Sequence, residues 1–492
     1  MNIAIAAGHQ LTVQAAQDVL QAGGNAVDAA IAAMMMTWVA EPCMSSAGGG
    51  AFAMVAINGQ SVKLFDFFCQ TPRYKRSLEQ IEFLPVTIDF GDTQEVFHIG
   101  KGSTAVPGAV AGIFELHRHY GSMPMLELAQ PAITAAKDGV IVNDFQHFDF
   151  DLVSPILKWS ERGKAIFFPE GKIAPKGEKI YLPNLADFLE ALTREGQALF
   201  YKGEIAQKIV QDHQTNGGFL RLEDFENYEV NIRKPLSFTY HDKIIYTNPA
   251  PSIGGSIIAL TLAEFEQTRT TAYHLSKEYI QCLHHIFEKI DALGKSLTVL
   301  HRAVQEWQHK TWGSTTHFNV ADRHGNAVSL STTIGEGCGY FIENADTMLN
   351  NMLGEAVLMP NGFHSWQENT RLSSMMSPTI VLDKNYRPEI VMGTGGASRI
   401  AFAISQVLHL LIDHHLTVEA AVNAPRVHLE HDVLHVEAGF DDVPNAAQFY
   451  QTLKSWQQSS LFFGGVHALK REKDHWTAAG DRRRDGYAMS EI

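Results

Sequence analysis

Short runs in which branched or aromatic residues alternate with small polar ones recur along this chain, between longer stretches with apolar residues every third or fourth position. The clearest alternation lies at 313–333, GSTTHFNVADRHGNAVSLSTT. It predicts strands at 315–321 and 327–333, with Asp322-Arg323-His324-Gly325-Asn326 reversing the chain and Gly325 supplying the positive φ of a tight turn. A β-hairpin with one buried face is expected. Further strands are predicted at 51–57 and 61–68, joined at Asn58-Gly59, and at 236–247, 377–382 and 389–392.

Helical spacing begins at 10–22, where Leu11, Ala15, Val19 and Ala22 share a face. Gly23-Gly24 ends that helix, and Asn25 caps a second one running to about residue 39. This second helix is apolar nearly all round, which predicts burial on every side. Its Met34-Met35-Met36 run reads as filler for an irregular core, not as a soft-metal site. Other helices are predicted at 110–120, 126–138, 185–195, 205–213, 256–266 and 273–294, with an irregular aromatic stretch at 145–183. Gly393-Thr394-Gly395-Gly396 is expected to open a long helix to about residue 414, presenting unpaired N–H groups. Gly48-Gly49-Gly50 lacks the Lys-Ser/Thr of a phosphate loop and reads as close backbone packing. With no tandem repeat and no low-complexity linker, the elements predict one α/β (α+β) unit.

Composition narrows the function. At 492 residues, with 45% apolar and 19% charged side chains, the chain can bury a large core and is not disordered. A net charge of −15 argues against nucleic acid or an anionic membrane as main partner. Arg482-Arg483-Arg484 is too short to offset it and is flanked by aspartates. Cys43, Cys69, Cys282 and Cys338 form no CxxC pair and read as reduced thiols. His428, His431 and His435 would share one helix face, but the alternation of Val433, His435 and Glu437 predicts extended chain and no metal site. No basic segment leads into an apolar run at the N-terminus, and the apolar stretch 29–40 is too short to span a bilayer. The expectation is a cytoplasmic protein, periplasmic if a signal peptide has been removed.

The sharpest chemical candidate is Thr315. A threonine hydroxyl is a poor nucleophile until a base takes its proton, and a backbone amine freed by cleavage just before the residue is such a base. Gly313-Ser314 offers a small, flexible approach to such a cut. Thr333 closes the opposite strand, so its hydroxyl is placed to hold the Thr315 amine.

The stretch TTHFNVADRHGNAVSLSTT resembles the start of the small subunit of the γ-glutamyltransferases (glutathione hydrolases), which are N-terminal-nucleophile enzymes. Similar blocks follow in the family's order: GGNAVDAA (23–30), SSAGGGAF (45–52), TAVPGAVAG (104–112), APSIGG (250–255), LNNML (349–353), RLSSMMSPTIV (371–381) and GTGGASRI (393–400). The resemblance implies a four-layer αββα sandwich, cut between Ser314 and Thr315 into segments 1–314 and 315–492 that stay interleaved as one structural unit. It places the nucleophile at Thr315, its support at Thr333, a carboxylate-binding pair at Ser373 and Ser374, and oxyanion-hole amides at Gly395 and Gly396. No metal or organic cofactor is implied.

The departures bear on substrate. Phe68 stands where the family has a carboxylate-binding arginine, Gly335 where it has an asparagine, and Met352 where it has a glutamine. Glu355 conservatively replaces the acidic residue that binds the α-ammonium. A buried carboxylate without its bidentate partner loses roughly 2–5 kcal/mol, so weak or altered use of glutathione is expected. The implied function is a self-processing enzyme cleaving γ-glutamyl amides through an acyl-threonine, by hydrolysis or by transfer to an acceptor amine. A related acylase taking a glutaryl-like or more apolar acyl group is the alternative, and a catalytically silent binding protein is a third reading.

Overall fold

The computed structural model describes residues 1–491 apart from 90–93, 297–313, 360–361, 431 and 444–451. The expected approach residue Gly313 and the candidate His431 therefore lie outside the described residues. Two antiparallel sheets stack face to face. The first runs in the order Tyr487–Ser490, Ala4–Ala7, Thr315–Ala321, Ala327–Thr333, Gly50–Ala56, Lys63–Phe67, Asn231–Arg233. The second runs His475–Ala479, Gly465–Glu472, Pro388–Gly395, Thr379–Leu382, Lys243–Thr247, Leu236–Tyr240. Each sheet mixes strands from before and after Thr315, so neither half of the chain closes a sheet alone.

Helix Ala26–Ala40 packs on the outer face of the first sheet, among helices Gln10–Gln21, Ala109–Tyr120 and Met125–Asp138. Every one of its residues is buried, as its uniform apolarity predicts. Its start is built by Asn25, whose side chain accepts from Val27 N and Asp28 N while the Asp28 carboxylate accepts from Asn25 N. Helices Gly254–Thr268 and Ile400–Ile412 pack against each other on the second sheet's side. The architecture is αββα.

These layers correct the expectation of one buried face for the hairpin: all of Thr315–Ala321 and Ala327–Thr333 is buried. Phe318, Val320, Val328 and Leu330 join the core shared with the helices. The alternate residues point between the sheets, where Phe52, Met54 and Leu64 pack. Antiparallel sheets often keep one face wet, and here a second sheet covers it.

The glycine run at 393–396 also differs from expectation. Pro388–Gly395 continues as strand, Gly396 (φ 127°) breaks it, and a 3-10 turn at Ala397–Arg399 precedes helix Ile400–Ile412. Pairing with Gly465–Glu472 overrides the poor strand propensity of glycine. Strands Ala4–Ala7 and Tyr487–Ser490 were not predicted, because so short a buried run as Ala-Ile-Ala-Ala carries no alternation. Val427–Glu430 and Val433–Val436 are extended as predicted, with His428 opposite His435. Among the described residues, no helix is long and apolar enough to cross a membrane.

Candidate active site

Hairpin register builds the centre of the site. Thr315 lies opposite Thr333, and Thr333 opposite Gly50 on the next strand. The Thr333 hydroxyl donates to the carbonyl of Ser314 at 2.5 Å and accepts from Gly335 N at 2.9 Å. The Thr315 nitrogen is still an amide here and no base, so the Thr333 hydroxyl is directed at the carbonyl ahead of it. Ser314 donates its N–H to Glu336 Oε1 at 3.1 Å and its hydroxyl to Glu336 Oε2 at 2.6 Å. From the C-terminal end of the chain, Arg484 Nη1 donates to Thr315 O at 3.1 Å.

The second sheet approaches without side chains. A Cβ on Gly395 would stand 2.1 Å from Thr315 O, and one on Gly393 would stand 2.3 Å from the His317 ring. Behind Thr315, the face between the sheets is polar but satisfied. His317 Nδ1 meets Ser331 Oγ at 2.8 Å and Nε2 meets Asn319 Oδ1 at 3.0 Å, while Asn319 Nδ2 donates to His467 O at 2.8 Å. Burial lowers His317 to about 3, so it stays neutral and holds the strands in place.

Beneath the hairpin lies a buried carboxyl cluster that sequence reasoning missed. Glu41, just after the all-apolar helix, accepts from Thr316 Oγ1 at 2.6 Å and Thr12 Oγ1 at 3.2 Å. Burial pushes its carboxyl from 4.5 to about 7, against those hydrogen bonds and the charge of Arg484. Burial, and then the Glu336 charge, raises Asp149 to about 7 as well. Burial also lowers Arg484 to about 10. The signals available in sequence were an acid closing an apolar helix, an acid three residues past Thr333, and an arginine run that is not a surface patch. Arg483 is in fact buried against Glu437 and Asp481.

Because the folded state holds the Glu41 proton more tightly than the unfolded chain, stability falls as pH rises between 4.5 and about 7. A shift of this size corresponds to about 3 kcal/mol once the group is ionised. Glu41→Gln, in a Thr315→Ala background that keeps the chain whole, is expected to melt increasingly above its parent from about pH 5 to about pH 8. A pH-independent difference in melting temperature would show that Glu41 titrates normally.

The substrate-side candidates converge unevenly. Gly335 (φ 68°) stands against Asn351 and Glu355: a Cβ there would meet Asn351 Oδ1 and Glu355 Oε1, each at 2.2 Å. An asparagine at 335 does not fit this setting. Glu355 thus reaches the residue bonded to Thr333. Met352 is buried in the core between the sheets. Phe68 is also core, stacked on Phe52 with ring centroids 5.3 Å apart.

Arg371 sits beside the Phe68 turn. Its guanidinium donates to Phe68 O, the Tyr228 hydroxyl and Glu229 O, lies 4.6 Å from the centre of the Tyr228 ring, and is 3.8 Å from Asp66. Ser374 spends its hydroxyl accepting from Met376 N at 3.1 Å, and Ser373 is half-buried on the same loop. That loop is tied to the Phe68 turn through Leu372 N, which donates to Cys69 O at 3.1 Å. Beyond it, a small cleft, partly open to solvent, is lined by Ile257, Phe287, Met375 and Phe402 with Ser398 and Glu430.

Comparison with known proteins bears on the family and the fold. The family model described as gamma-glutamyltranspeptidase matches residues 12–293 and 291–491. The glutathione hydrolase proenzyme of Escherichia coli (strain K12) is 32% identical over 87% of this chain and 81% of its own length. The capsule biosynthesis protein CapD proenzyme of Bacillus anthracis is 31% identical over 98% and 89%. The acylase ACY 1 proenzyme of Pseudomonas sp. (strain SE83) is 28% identical over 98% and 92%. In structure, a cephalosporin acylase from Bacillus halodurans superposes with a TM-score of 0.81, covering 99% of this chain and 95% of that one at 23% identity, which speaks for the fold alone. With a family model spanning nearly the whole chain and hydrolase relatives of matching length, this protein is an enzyme of the gamma-glutamyltranspeptidase family.

Proposed function

We propose that this enzyme cuts itself before Thr315 and then cleaves γ-glutamyl amides through an acyl-threonine, by hydrolysis at least as much as by transfer. The observation carrying this reading is the Thr333 hydroxyl on the Ser314 carbonyl, at the bond ahead of a strand-held threonine. In the cut enzyme the Thr315 amine takes the proton of its own hydroxyl as that hydroxyl attacks the substrate amide, then passes it to the leaving amine. Water or an acceptor amine resolves the ester. Gly395 and Gly396 are assigned the oxyanion amides, Glu355 the substrate ammonium, and Ser373 and Ser374 the α-carboxylate. The chains 1–314 and 315–492 remain partners, because each sheet takes strands from both.

A second reading, an acylase for glutaryl-like or more apolar acyl groups, is favoured by specific features. Phe68 is a core residue, and the nearby cation Arg371 is already bonded to Phe68 O, Tyr228 and Glu229. A substrate carboxylate gains Arg371 only by breaking those bonds. The cleft flanked by Met375 and Ser398 also suits an apolar group.

Side-by-side turnover of γ-glutamyl and glutaryl anilides separates the two. The Glu355 carboxylate favours the ammonium-bearing acyl group, so kcat/KM for the γ-glutamyl anilide is expected to be at least about tenfold higher, a preference of about 1.4 kcal/mol. The reverse order would establish the acylase reading instead.

A further inference from the structure

We propose that Glu336 is the positioning residue of self-cleavage: its carboxylate holds Ser314 so that the carbonyl carbon ahead of Thr315 stays within reach of the Thr315 hydroxyl. This rests on Thr315 being the self-processing nucleophile. Ser314 precedes the strand, so the ladder that begins with Thr315 opposite Thr333 does not fix it. Its polar groups are instead held individually. The N–H goes to Glu336 Oε1 (3.1 Å), the hydroxyl to Glu336 Oε2 (2.6 Å), and the carbonyl accepts from Thr333 Oγ1 (2.5 Å). One donor on each carboxylate oxygen orients the residue as well as tethering it. Glu336 is itself buried, and its backbone N–H donates to Asn351 Oδ1 at 2.8 Å.

Charge narrows what Glu336 does. A carboxylate beside a developing oxyanion opposes that charge, so electrostatic stabilisation falls to the Thr333 hydroxyl. The contribution of Glu336 is placement, and reacting groups held in attack geometry react orders of magnitude faster. In the cut, the Thr315 hydroxyl oxygen bonds to the Ser314 carbonyl carbon. The C–N bond then breaks, with the hydroxyl proton passing to the departing nitrogen, and leaves an ester. Water splits that ester into a Ser314 carboxylate and a Thr315 residue with free hydroxyl and amine. Glu336 therefore acts on the precursor, through the two bonds it makes to Ser314.

The test follows cleavage of newly synthesised full-length chain by intact mass. Glu336→Ala is expected to slow the cut at least about a hundredfold. Glu336→Gln, which keeps an acceptor for the Ser314 N–H but loses the charge, is expected to slow it about tenfold. In the Thr315→Ala background both should melt within a few degrees of their parent, which a merely structural role would not allow. The Ser314→Ala/Glu336→Ala double variant should cut no slower than Glu336→Ala, since the hydroxyl bond needs both partners. Wild-type rates in the Glu336 variants, or a multiplicative double effect, would overturn the proposal. Should Glu336→Ala not fold, the isosteric Glu336→Gln decides. A wild-type chain that stays whole is a separate outcome, the failure of Thr315 as nucleophile.

Discussion

Thr315→Ala is expected to yield one band at the full 54.5 kDa and no amide cleavage, while the wild-type chain separates into 1–314 and 315–492. Alanine keeps the strand and its pairing with Thr333, so the fold survives. What disappears is the hydroxyl proposed to perform both attacks, first on the Ser314 carbonyl and then on substrate. Loss of a nucleophile acting in a unit costs about 10⁴-fold or more in turnover. Intact-mass measurement reads the first consequence, and anilide hydrolysis reads the second. A Thr315→Ala chain that is nevertheless cut would show that another group breaks the bond, and the mechanism proposed for the mature site would go with it.

Gly395→Ala is expected to have the next largest effect. The added methyl would lie 2.1 Å from Thr315 O and 2.9 Å from Arg484 Nη1, far inside contact distance, and both neighbours are buried. Strands of two packed sheets meet there, so relief comes by pushing the Thr315 backbone aside. A misplacement of about 1 Å costs on the order of a hundredfold in rate, and overpacking costs about 1–3 kcal/mol of stability. Gly393→Ala is the matched control. Its methyl meets the His317 ring, two residues along the strand from Thr315, so stability should fall while self-cleavage persists. Equal loss of cleavage in both variants would mean that sheet separation, not the placement of Thr315, governs the reaction.

Much of the site can be read along the chain because it is local. The alternation of 315–321 and 327–333 with a glycine-containing reversal between them fixes the hairpin register, and register alone sets Thr315 across from Thr333. The capped, wholly apolar helix Ala26–Ala40 is equally local, since Asn25, Asp28 and uniform apolarity specify both its start and its burial. The family blocks add an αββα fold to that reading, and the two stacked sheets with helices on either side match it.

Other features depend on residues hundreds of positions apart. Arg484 reaches Thr315 O, Glu41 reaches Thr316, and Arg371 spends its charge on the Phe68 turn, contacts that no periodicity announces. The glycines at 393 and 395 look like the start of a helix until a second sheet needs to approach Thr315 and His317 without a Cβ between them. The order of residues thus determined the hairpin that pairs Thr315 with Thr333 and the helix beneath. Only close packing of two sheets decided which charges surround the bond between Ser314 and Thr315, because burial sets both which groups can touch and what it costs to ionise them.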